Sequence, residues 1–251
     1  METFTYTFSE SVENHTGMQQ IGHISDTGFS LETLNKISKY MTDKGLVCQL
    51  VHLNKNLPAG IDADKEAYVL VIKNGVSVLG NKINLTNEIT TQKLSVDKKA
   101  FMRGHVVNKH ARWNLCYADA NQEPDYENKK GRIISFAESP ELNKIRNSLA
   151  LPELFGEQFF AELNYYYDIT KTGIGFHGDT ERKKVIGLRL GASLPLHYQW
   201  YKNSTPIGER IIIPLDGGDV YVMGDKSVGY DWLKKNIATL RHATGCNKYV
   251  S

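Results

Sequence analysis

No run of about 18 apolar residues occurs in the chain, which excludes a conventional membrane-spanning helix. The opening Met1-Glu2-Thr3-Phe4-Thr5-Tyr6 has neither a basic head nor an apolar h-region, so no secretory signal is expected. Cysteine is scarce. Cys48, Cys116 and Cys246 are odd in number, far apart and outside any CxxC pair. That argues against a disulfide framework or a zinc-thiolate site, and for reduced thiols in an intracellular compartment, cytoplasmic or nuclear. Charge of one sign is lacking too. The net charge of +2 directs no class of partner, so any nucleic-acid contact must come from a local patch. Internal repeats and low-complexity segments are absent. What remains is ordinary soluble composition, 41% hydrophobic and 23% charged over 251 residues, enough for one large domain or a domain with an extension.

Residues 1–29 are polar and weakly patterned. Ser30 is placed to cap a helix whose apolar positions Leu31, Leu34, Ile37 and Met41 follow helical spacing, with Gly45 closing it. Leu46 to Val51 reads as a strand. Ala67 to Ile72 and Val76 to Leu79 flank Lys73-Asn74-Gly75, a hairpin signal. Residues 1–95 are therefore expected to be an α+β N-terminal extension. Ser139-Pro140 starts a second helix with Leu142, Ile145 and Leu149 as its buried stripe. After Pro152 the pattern is β, with strands expected at Phe159 to Tyr167, Val185 to Leu190, Leu196 to Tyr201, Arg210 to Leu215 and Asp219 to Met223. The fold class read from this order is mostly β with an α+β N-terminal part, the core a jelly roll over residues 139–251.

Residues 96–138 differ in character. Lys98, Lys99, Arg103, Lys109, Arg112, Lys129, Lys130 and Arg132 alternate with His105, His110, Trp113, Tyr117 and Tyr126. Cations hold phosphates and rings stack bases, so residues 97–132 are the candidate nucleic-acid surface, with Arg112, Trp113 and Tyr117 as candidate substrate contacts. Asp119, Glu123, Asp125 and Glu127 dilute the positive field, and a solvated loop with packed aromatics is the competing reading.

The most informative stretch is Gly175-Phe176-His177-Gly178-Asp179-Thr180-Glu181. In an extended strand residues i and i+2 share a face, so His177 and Asp179 can grip one metal ion from the same side. A distant third ligand would complete a two-His-one-carboxylate triad, which leaves positions on Fe(II) open. Arg182, Lys183 and Lys184 follow at the expected rim, with Arg182 a candidate phosphate contact.

Asn164-Tyr165-Tyr166-Tyr167 followed by Ile174-Gly175-Phe176-His177-Gly178-Asp179-Thr180-Glu181 resembles the core motif of AlkB-like dioxygenases. The strand from Val185 and the Gly217-Gly218-Asp219 to Met223 strand resemble that family as well, and the likeness covers roughly residues 155–245. The resemblance implies a double-stranded β-helix that binds Fe(II) and uses 2-oxoglutarate as cosubstrate. It implies hydroxylation or oxidative demethylation of a modified nucleic-acid base. His177 and Asp179 carry over as ligands. His242 is assigned as the third, with Asp231 as the alternative from family spacing. Asn164 and Tyr166 carry over as cosubstrate contacts, with Tyr167 the alternative for the tyrosine.

The family's late pair of arginines has no counterpart, since the nine residues after His242 carry only Lys248 as a cation. Arg189, Arg241 and Lys248 are the substitutes for holding the distal carboxylate. Arg189 is favoured because an arginine among apolar strand neighbours demands an anion. A structural salt bridge would satisfy it equally. Two further readings stay open: the same oxygenase chemistry on a protein side chain or small molecule, and a barrel that binds without catalysis.

Overall fold

The computed structural model of the protein describes residues 1–151, 153–156 and 158–251. Pro152, taken above as the start of the β region, lies outside them. The chain begins with β1 (Thr3–Ser9), β2 (Ser11–Glu13), β3 (Gln20–Gly22), α1 (Leu31–Asp43), β4 (Cys48–His52), β5 (Tyr68–Ile72), α2 (Val76–Leu79) and α3 (Lys82–Gln92). It continues with β6 (Lys99–Met102), β7 (His105–Asn108), β8 (Trp113–Ala118), β9 (Ile133–Ser135) and α4 (Pro140–Leu149). The remainder is β10 (Phe160–Tyr166), β11 (Gly173–His177), β12 (Val185–Gly191), β13 (Leu196–Lys202), β14 (Thr205–Ile213), β15 (Val220–Met223), β16 (Thr239–Gly245) and α5 (Asn247–Val250).

The protein is mostly β. An eight-stranded sheet runs β4-β5-β15-β12-β1-β10-β8-β9, antiparallel except for β8 with β9. A four-stranded antiparallel sheet runs β11-β16-β13-β14. One face of the large sheet packs Phe4, Tyr6, Phe8 and Leu188 against Leu34, Ile37 and Met41 of α1 and Leu142 and Ile145 of α4. Its other face packs Val71, Val185 and Met223 against Tyr198, Trp200 and Leu240 of the small sheet. Each such side chain, fully buried, contributes about 1.5–3 kcal/mol. The result is a helical layer, a large sheet and a small sheet in sequence.

The α1 expectation holds: Ser30 Oγ accepts the Thr33 N–H at 3.1 Å, and Leu34, Ile37 and Met41 are buried. The α4 stripe holds as well, with Pro140 at its first turn, but Ser139 makes no side-chain cap bond; its Oγ instead accepts from Gln92 Nε2 at 2.8 Å. The N-terminus departs from expectation. Residues 3–9, read as polar and weakly patterned, form a wholly buried central strand between β10 and β12. Strands from residues 1–95, 96–138 and 139–251 all share the large sheet, so those segments interleave in one structure.

Val76 to Leu79 is also not the return strand of a hairpin but a turn of helix. Asn74 takes the expected left-handed φ of 52°. Its N–H, however, donates to Asp219 Oδ1 at 2.9 Å, and the Val76 N–H donates to the Gly218 carbonyl at 3.1 Å. These bonds tie the chain to the neighbouring loop, and Val76 and Leu79, three apart, both enter the core. The strand expected from Arg210 instead begins at Thr205, because Asn203 and Ser204 (φ 50° and 62°) make a two-residue hairpin turn. All three cysteines are free, and no helix among the described residues is long and apolar enough to cross a membrane.

Candidate metal centre and its cavity

The small sheet brings the two histidines together. His177 on β11 is the register partner of His242 on β16, and their ring centroids are 4.4 Å apart. Asp179 follows β11. Its N–H donates to the Val228 carbonyl at 3.1 Å, and Gly178 lets the turn press against Gly229 where a Cβ would sit 2.1 Å from the carbonyl oxygen. Asp179 Oδ1 thus lies 3.4 Å from His177 Nε2 and 3.5 Å from His242 Nε2. The three ligand atoms are all within 4.8 Å of one another, close enough to share one ion.

The protonation pattern suits a cation. His177 Nδ1 donates to the Gly175 carbonyl at 2.8 Å, which leaves the Nε2 lone pair facing Asp179. Burial, with repulsion from His177, lowers the pKa of His242 and favours its neutral, ligating form. Burial alone would raise Asp179, but His242, His177 and Arg182 outweigh it and hold the carboxyl well below the usual range. Two imidazoles and a carboxylate within reach of one another could hold a divalent ion here.

The group opens on a cavity of about 400 Å³ between the two sheets. Its wall on the large sheet includes Thr5, Asn164, Tyr166, Arg189 and Tyr221. Arg189 is 1% exposed. One of its Nη atoms donates to Thr5 Oγ1, and its Nε has no partner. Burial lowers its pKa, opposed by Tyr221, Tyr166 and Asp219. The competing reading, a structural salt bridge, finds no carboxylate for Arg189 among the described residues; the Asp219 carboxylate is used by Lys73, Asn74 and Asp216.

Several expected residues stand elsewhere. Asp231 is outside the ligand group, its Oδ2 paired with Lys226 at 2.7 Å. Arg241 neighbours His242 on its strand, so it points to the other face, stacked 3.9 Å over the Tyr201 ring. Lys248 is exposed on α5, its Nζ 5.5 Å over Tyr249 and outside the cavity wall. Tyr117 is buried in the core, its hydroxyl bonded to Gln92 Oε1, because the alternation of β8 turns it to the helical side. Trp113 stacks on Tyr167 at 4.2 Å and lies under Lys98, also away from the cavity. Tyr167 donates to the His110 carbonyl, so Tyr166 is the tyrosine on the cavity side.

Arg182 is no rim residue. It is 3% exposed, with Nη2 at 2.6 Å from Glu162 and 2.7 Å from Glu181, and its Nε 3.7 Å from Asp179, so it braces the ligand carboxylate. Arg112 does reach the cavity, where it donates to Asn164 Oδ1.

Thr5, Thr7 and Glu13 line the cavity without having been expected there. The signal for the threonines was in the sequence: Thr3-Phe4-Thr5-Tyr6-Thr7-Phe8-Ser9 alternates strictly, with β-favouring residues on both faces. Glu13 carries no such signal. Burial, then Glu181 and Glu162, raise its carboxyl from 4.5 to about 7.

No protein-family model matches the chain. Over 251 residues it is 51% identical to an uncharacterized protein of Acanthamoeba polyphaga mimivirus, covering 99% of this chain and 98% of that protein.

Proposed function

This chain belongs to one family with the uncharacterized mimiviral protein, and we propose that it is an Fe(II)- and 2-oxoglutarate-dependent oxygenase of the AlkB-like type, with its two sheets as the halves of a double-stranded β-helix. Its substrate in this reading is a modified nucleic-acid base, hydroxylated or oxidatively demethylated in an intracellular compartment. The supporting observation is the meeting of His177, Asp179 and His242 on the same cavity as a buried arginine that has no carboxylate partner among the described residues.

Nε2 of both histidines and Oδ1 of Asp179 would hold the iron. Bound with 2-oxoglutarate, iron would supply the reduction of O2, one oxygen atom going to succinate as the cosubstrate loses CO2 and the other to a substrate C–H bond. The protein's own contribution is positioning. Arg189, with Thr5 and Tyr166 beside it, offers the distal carboxylate a cation in a site shielded from water. The Gly175 carbonyl keeps the proton on Nδ1 of His177. Arg182, itself fixed by Glu162 and Glu181, stands 3.7 Å behind Asp179 and braces it. The segment 97–132 offers exposed cations beside the cavity mouth. Phe101 and Arg103 of its β6–β7 hairpin, together with Lys129, line a cleft that shares His15 and Thr16 with the main cavity.

The test is anaerobic titration of Fe(II) and 2-oxoglutarate, read by the weak charge-transfer band at about 500 nm. The band is expected in the wild type and in Asp231→Ala, and is expected to be lost in His177→Ala and His242→Ala. No band in the wild type overturns the oxygenase reading and leaves a barrel that binds without chemistry. A band with cosubstrate turnover that methylated oligonucleotides fail to stimulate moves the substrate to a protein side chain or small molecule.

A further inference from the structure

The small sheet has one face in the core and one outside. Leu196, Tyr198, Trp200 and Leu240 are core residues, so strand alternation turns Tyr201 and Arg241 outward. Phe176, next to His177, joins them, as does Arg210 of the edge strand β14. Arg210 and Ile212 are exposed, and Phe176, Tyr201 and Arg241 are partly so. Arg241 lies 3.9 Å over the Tyr201 ring and 5.0 Å from that of Trp232. Arg210 lies 5.2 Å over the Phe176 ring, and the Phe176 and Tyr201 rings are 6.2 Å apart. Guanidiniums and rings therefore form one continuous layer, and Trp232 at its end also lines the cavity.

Among the described residues neither guanidinium meets a carboxylate, and their recorded partners are rings. Cations outnumber carboxylates on the face itself, while Asp64 and Asp231 beside it share Lys226. Lys202, Lys234 and Lys235 stand at the hairpin end of the face, where the Asn203 N–H donates to the Lys235 carbonyl at 3.2 Å. Asp231 is occupied by Lys226, which leaves Glu209 as the acidic residue on these strands. A stacked guanidinium keeps its edge N–H groups free for an anion, and an exposed ring offers a base its π-face. An acidic peptide would use the cations and leave the rings without purpose.

We propose that this outer sheet face is a docking surface for single-stranded nucleic acid, with phosphates held by Arg210 and Arg241 and bases stacked on Phe176 and Tyr201. Trp232 belongs both to this face and to the cavity wall, so a strand lying on the face adjoins the proposed reaction site. The inference shares the nucleic-acid partner of the preceding reading, but it requires neither metal nor cosubstrate and fails separately from it.

The test uses full-length, metal-free protein and a fluorescein-labelled oligothymidylate of about 12 nucleotides, read by anisotropy across a salt series. Arg210→Ala combined with Arg241→Ala is expected to weaken binding roughly 10- to 100-fold and to reduce the log–log salt slope by about 1.4, the single-strand value for two lost phosphate contacts. Tyr201→Leu is expected to weaken it roughly fivefold or more through lost stacking. Urea midpoints are measured on each variant, and Arg210→Ala alone, at an exposed position, separates a binding defect from a folding defect. Two results overturn the proposal: no oligonucleotide binding by the wild type, whether or not it binds phosphatidylserine vesicles, or unchanged binding by the double variant.

Discussion

Arg189 links the stability of this fold to its proposed ligand with opposite signs. The side chain is 1% exposed, its one recorded side-chain hydrogen bond goes to Thr5, and Nε is unsatisfied. A buried cation without a counter-ion opposes folding by several kcal/mol, and replacing buried ionic groups with apolar ones of similar volume often stabilises by about 1–4 kcal/mol. Arg189→Met keeps most of the volume and removes the charge. The ligand-free variant is expected to be more stable than the wild type by about 1–3 kcal/mol. At roughly 2–4 °C per kcal/mol for a chain of this size, the shift is readily measured by anaerobic thermal denaturation. The ligand reverses the comparison. 2-Oxoglutarate at about 100 times its Kd should stabilise the metal-loaded wild type by about 2.7 kcal/mol and the variant by much less. A ligand-free variant less stable than the wild type, or one with an undiminished 2-oxoglutarate shift, would refute the reasoning and make Arg189 a structural group.

Two further perturbations probe the frame around the site. Gly178→Ala sets a Cβ 2.1 Å from the Gly229 carbonyl oxygen and 2.8 Å from Trp232 Cβ, contacts that backbone cannot relieve cheaply. A loss of about 1–3 kcal/mol is expected, together with weaker metal binding as Asp179 is displaced. An unchanged urea midpoint with full metal stoichiometry contradicts this. Glu13 has a folded-state carboxyl raised to about 7, by burial first and then by Glu181 and Glu162. Its contribution to stability is present below the ordinary value of 4.5 and is lost as pH rises through about 7. Glu13→Gln should flatten that decline and gain about 1–2 kcal/mol at pH near 8, less than full linkage because solvent screens a half-buried group. Parallel pH profiles for variant and wild type would show that Glu13 is not the source.

Legibility in the sequence followed the range of the interaction. The α1 cap at Ser30 and the α4 stripe are local, and both were readable. So was the His-x-Asp pair, because two ligands two residues apart need only an extended strand. The β1 strand carried a clear period of two that polar threonines concealed, since both of its faces are buried. Val76 to Leu79 failed because the choice between strand and helical turn depended on hydrogen bonds from Asn74 and Val76 to a loop some 145 residues away.

What the sequence determined by itself was the mostly β character, the helices α1 and α4, the unpaired cysteines and two of the three ligand candidates. Each is a property of neighbouring residues or of composition. The tertiary structure alone put His242 rather than Asp231 beside His177 and Asp179, because β-sheet register set His242 opposite His177 while Lys226 took Asp231. It also turned Arg189 into the cavity and Arg241 out of it, and set Arg182 behind Asp179. The physical reason is the strand's period of two together with pairing between distant segments. One residue of register decides which face a side chain occupies, and only the assembled sheet fixes that register.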